Sequence, residues 1–81
     1  MSHIDAWKQF EDSVVVCNRM AKQFGTDSSQ FSTARSEMIS SLGKAAGVYY
    51  ALNMAGMIRP GSEEEKQFTF LKEKLALVLG K

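Results

Sequence analysis

Fourteen consecutive residues, Ala45 to Ile58, carry no charge. The segment "GKAAGVYYALNMAGM", Gly43 to Met57, holds all of them but Ile58 and adds a single charge, Lys44; its one strongly polar amide is Asn53. A stretch this apolar has to be covered, and what covers it limits the folds open to a chain of 81 residues. A membrane span needs about 20 predominantly apolar residues. This run is shorter, and it includes two glycines, an asparagine and two tyrosines. The expectation is a helix buried in protein and not in lipid.

The means of covering it are few. A chain of this length buries only about 60–65% of the surface it exposes when unfolded, and small domains often add a disulfide, a metal or a partner. Cys17 is the only cysteine, so no intrachain disulfide can form. His3 is the only histidine, so a Cys/His zinc cluster would lack ligands. No metal and no cofactor is therefore expected. What remains is unaided packing or association with other chains.

Ten Lys and Arg residues balance nine Asp and Glu residues. That balance gives no electrostatic reason to expect a nucleic acid or an anionic membrane as partner. The opening "MSHIDAWKQFEDS" has no basic segment followed by an apolar core, so it does not read as a signal peptide. With its single free thiol, the chain is expected to be cytoplasmic.

Periodicity and punctuation predict an all-α chain, a small three-helix bundle forming one domain over residues 1–81, with helices at about 3–24, 28–58 and 62–79. In the first, Trp7, Phe10, Val14, Cys17, Ala21 and Phe24 recur at spacings of three and four, which places them on one stripe. Ser2 and Asp5 resemble a capping box at its start, and Gly25 follows the last apolar residue as a C-cap. The second opens after Asp27 or Ser28 and runs to about Ile58, where Pro60 disfavours helical geometry at Arg59. The third opens on Ser62 with Glu65 as its capping box, and Glu63 to Glu65 complement the positive end of the helix dipole. Phe68, Leu71, Leu75 and Val78 form its stripe.

The second helix is too long for its neighbours. At about 1.5 Å per residue it spans about 45 Å, against about 33 Å and 27 Å. Either it breaks near Gly43, giving a fourth helix, or it stays whole and another subunit covers the overhang. The second helix also has two apolar faces, one with Met38, Leu42, Tyr49 and Leu52, the other with Ile39, Tyr50, Met54 and Met57. Between them run small residues four apart: Gly43, Gly47, Ala51 and Ala55. Small residues let another helix approach closely, and a helix apolar nearly all round is buried nearly all round. Val16, Met20, Phe70 and Leu77 add apolar surface off the main stripes of the other helices. The expectation is a homo-oligomer, at least a dimer, with Gly43, Gly47, Tyr50, Ala51, Met54, Ala55 and Met57 at the contact.

Signs of chemistry are sparse. Cys17 lies on an apolar stripe, where burial makes a thiol inert. His3 is near a chain end expected to fray and be solvated. Gly43 and Gly47 lack the Lys-Ser/Thr of a phosphate-binding loop and follow no strand. A helix-turn-helix in "LGKAAGVYYAL" would need basic and polar side chains on its recognition helix. Before Arg59 that helix would offer only Asn53 and the two tyrosines. The function expected is that of a non-enzymatic interaction or regulatory protein, binding itself and another protein. One rival is a small-molecule binder with a pocket between helices near Tyr49, Tyr50 and Arg59, Asn53 also in reach. The other is an enzyme whose site is assembled between subunits.

Overall fold

The computed structural model describes residues 2–80 and contains three helices: α1 (His3–Phe24), α2 (Ser29–Met54) and α3 (Glu63–Leu79). Among the described residues there is no strand. The first and last helices fall where sequence placed them, and side-chain caps explain why. Ser2 Oγ accepts from the Asp5 amide at 3.2 Å, Ser28 Oγ from the Phe31 amide at 3.1 Å, and Ser62 Oγ from the Glu65 amide at 3.2 Å. Gly25, with φ of 82°, ends α1 and donates its amide to Ala21.

The second helix keeps its expected continuity and departs from expectation at its end. It does not break at Gly43; its 26 residues are continuous. A mid-helix glycine costs about 1 kcal/mol relative to alanine, and the burial of Leu42, Ala45 and Ala46 on either side of Gly43 offsets it. The helix stops at Met54, four residues before the expected Ile58. Gly56, not Pro60, stops it. Gly56 takes φ of 70°, its amide donates to Asn53, and the Met57 amide reaches back to Leu52 at 3.0 Å. This is a Schellman closure, which needs a left-handed residue that glycine adopts without penalty.

The helices run up, down and up. Gly25 to Ser28 make a tight reversal between α1 and α2. The start of α3 lies beside the start of α1 (Glu64 near His3) and the end of α2 (Gln67 on Tyr49). The longest dimension, 42 Å, is close to the roughly 39 Å length of α2 itself, so α2 is the spine. Its inner face supplies Leu42, Ala45, Ala46 and Tyr49 to a core completed by Ala6 and Phe10 of α1 and by Phe68 and Leu71 of α3. Cys17 and Ala34 are buried further along the α1–α2 seam.

α3 is the shortest helix, about 25 Å long, and it begins level with His3. It therefore ends short of the α1–α2 reversal. That is why Phe24, expected in the stripe, is half exposed. Phe70, expected as surplus apolar surface, is 40% exposed and also bridges α3 to α1: its ring lies 5.8 Å from Trp7 and 6.2 Å from Phe10.

Leu71 is completely buried where α3 meets the core. Truncation to alanine in such a site costs about 2–5 kcal/mol, a large part of the stability of a small domain. Leu71→Ala should lower the urea midpoint by that equivalent, read by far-ultraviolet circular dichroism. Leu77→Ala on the same helix, 68% exposed, should hardly move it.

Candidate functional site

The outward side of α2 is a neutral face of small residues. Opposite the buried Leu42, Ala45 and Tyr49, the chain exposes Ser36, Ser40, Gly43, Gly47, Ala51 and Met54, spaced three or four apart. A Cβ built on Gly43 or Gly47 would meet no atom within 4 Å. Nothing inside the chain requires either glycine to be small. The stripe ends in apolar side chains: Met54 is 86% exposed, Met57 66% and Tyr50 44%. Ala55, the C-cap of α2, is exposed beside them. All seven residues named as an oligomer contact thus lie on the surface, within or just beyond one helix. The serines that extend the stripe towards the start of α2 escaped sequence reasoning, although Ser36 and Ser40 share the spacing of the glycines.

The residues named for a ligand are not brought together. Tyr49 is wholly buried, whereas Asn53 and Arg59 are exposed, so the three form no common wall. The Tyr49 hydroxyl donates to Gln67 Oε1 at 2.5 Å, across to α3. His3 meets the tyrosine ring edge-on, 5.7 Å between centroids, and Trp7 approaches at 6.4 Å. Burial, then the nearby carboxylates of Glu64, Glu11 and Glu63, push the Tyr49 hydroxyl up from 10.0 to about 12. It is a neutral donor that ties α2 to α3. Tyr50 turns the other way and stands edge-on to Phe68 at 5.0 Å.

His3 is not simply solvated, as its place near the chain end suggested. Its Nε2 lies 3.3 Å from Glu64 Oε2, part-buried beside Tyr49. A hydrogen bond from its own backbone amide, and next the His3 side chain, hold the Glu64 carboxyl below the usual carboxylate range. Glu65 turns back onto the Gly61 amide at 2.8 Å, completing the cap. Residues 61 apart in sequence meet here, and no local pattern signals it. Cys17 is 5% exposed inside the α1–α2 seam.

Three open clefts follow the seams between helices. One joins Val16 and Met20 of α1 to Thr33 and Glu37 of α2. A second, mostly apolar, lies between Trp7, Val14, Val15 and Phe70. A third lies between Tyr50 and Lys72, Leu75 and Leu79. Among the described residues no three His, Cys, Asp or Glu side chains stand together as a metal site, and no helix is long and apolar enough to cross a membrane. The segment considered as a helix-turn-helix lies within α2 and contains no turn. No known family model, curated protein or solved structure matches this chain.

The Tyr49 proton has a consequence for stability. Its folded-state value lies above the unfolded one. The contribution is therefore complete below about pH 10 and is lost as pH rises through about 12. Wild type should lose urea resistance across that window more steeply than Tyr49→Phe. Below it, Tyr49→Phe should be about 1 kcal/mol less stable, from the lost hydrogen bond to Gln67. Parallel slopes for the two proteins would show that another group governs the alkaline transition.

Proposed function

We propose that this chain is a small non-enzymatic helical protein that pairs with itself through the outer face of α2 and regulates, or adapts to, another protein. One observation carries the reading: α2 leaves a continuous uncharged stripe exposed, from Ser36 through Gly43, Gly47 and Ala51 to Met54. Glycines inside a helix lower its intrinsic stability, and no side chain within the chain fills the space they leave. Close approach of a second helix uses that space. Ala55 and Met57, with Tyr50, extend the apolar surface beyond the stripe, and monomers rarely keep such patches uncovered.

Self-association leaves other surface for a partner protein. Trp7, Val14, Val15 and Phe70 line an apolar cleft on the α1–α3 seam, away from the outer face of α2. Methionine and aromatic groups adapt readily to a partner's side chains. A cytoplasmic setting suits the lone reduced thiol of Cys17.

At micromolar concentration the protein should sediment as a dimer or larger species. Gly47→Leu should move it towards monomer while leaving the helical circular dichroism signal unchanged, because the new side chain points into open space within the chain. Overpacking at helix contacts costs about 1–3 kcal/mol, and a two-fold contact suffers it twice. A monomeric parent, or a variant that associates as well as the parent, would remove the basis for this reading.

A further inference from the structure

Self-association through α2 leaves the geometry of the pair open, and the charges that border the stripe define it. α2 has three charged residues, Arg35, Glu37 and Lys44. Two of them, Glu37 and Lys44, are seven residues apart. At about 100° per residue they fall within about 20° of each other, on the same flank of the Ser40–Gly43–Gly47 stripe. That flank faces α1, since Glu37 shares a cleft with Val16 and Met20. Both are exposed, and among the described residues neither belongs to an ion pair. They are too far apart along the helix to pair as three- or four-apart neighbours do.

We propose that two copies of this chain pack their α2 helices antiparallel about a two-fold axis that passes between Ser40 and Ser41. This rests on the proposed self-association and goes on to fix orientation and register. The axis turns one flank onto the same flank of the second copy while reversing the helix direction. Glu37 of each copy then lies level with Lys44 of the other, giving two symmetric ion pairs along the rim. Gly47 comes beside the exposed Thr33 of the second copy, so small residues meet there across the contact. A parallel pair has none of this complementarity: it sets each charge level with its own copy. Opposite-sign complementarity of this kind selects register and orientation more than it adds affinity.

The test uses the full chain in low salt, with dimer dissociation measured by sedimentation equilibrium. Glu37→Lys and Lys44→Glu, each alone, turn two attractive pairs into two repulsive ones and should weaken the dimer by about tenfold or more. The double variant Glu37→Lys/Lys44→Glu restores both pairs with the signs exchanged and should return within about threefold of wild type. The single-variant loss should shrink as salt rises, because exposed pairs are screened. Ser40→Cys, close to the axis, should form a disulfide-linked dimer on mild oxidation where wild type, its one thiol buried, does not. A dimer whose strength ignores all three charge variants overturns the antiparallel register but leaves self-association standing. A double variant as weak as the singles also overturns it, as does a Ser40→Cys protein that stays uncrosslinked. A wild-type monomer overturns both.

Discussion

α2 has to bury Leu42, Ala45, Ala46 and Tyr49 against two helices that are both shorter than itself. Everything else in the structure depends on how that is done. α1 covers one side along nearly its whole length, and α3 covers the other from the end that carries Tyr49. Tyr49 is where the three helices converge. Its ring takes the edges of His3 and Trp7 from α1, and its hydroxyl is held by Gln67 from α3. A buried tyrosine needs a partner for its polar end, and Gln67 supplies one without bringing a charge into the core. The bundle is held by packing, by that polar anchor and by the His3–Glu64 contact between the starts of α1 and α3, because the chain has neither a disulfide nor a metal cluster among its described residues.

Small residues line both the inner and the outer side of α2. On the inner side, Ala45 and Ala46 are fully covered and let α1 and α3 close on the spine. On the outer side, Gly43, Gly47 and Ala51 are exposed, and the space a side chain would fill at either glycine is empty. The first set is explained by the fold of one chain. The second is not, and glycine there lowers helix stability without an internal gain. The proposed pairing gives the outer set the same role as the inner set, close approach of another helix, but with a partner that is a second copy. The charges fit that account, for the helix that carries so few of them places two of opposite sign on one border of the open stripe.

The polar chemistry is gathered at one end of the bundle. His3, Glu64 and Tyr49 stand together because the starts of α1 and α3 adjoin the end of α2. The arrangement is saturated: the Glu64 carboxylate is engaged by its own backbone amide and by His3, and the tyrosine hydroxyl by Gln67. Such a cluster ties helix ends together. Cys17, the one nucleophile of note, is enclosed in the α1–α2 seam, where a buried thiol is inert.

The sequence by itself determined the number of helices, their kind and most of their ends. Those are local matters: serine caps satisfy free amides within three residues, Gly25 closes a helix, and apolar spacing of three and four makes stripes. It also marked the small residues Gly43, Gly47, Ala51 and Ala55 as a stripe of their own, since that too is read from spacing along one helix. Its errors were of two kinds. The end of α2 was assigned to Pro60 when Gly56 had already closed the helix, a competition between two local stop signals that glycine wins by coming first. The rest concerned which surface meets which. That Phe70 spans to α1, that Phe24 is half exposed and that His3 finds Glu64 all depend on where α3 starts and how far it reaches. Those contacts join residues tens of positions apart, and only the packing of the three helices decides them.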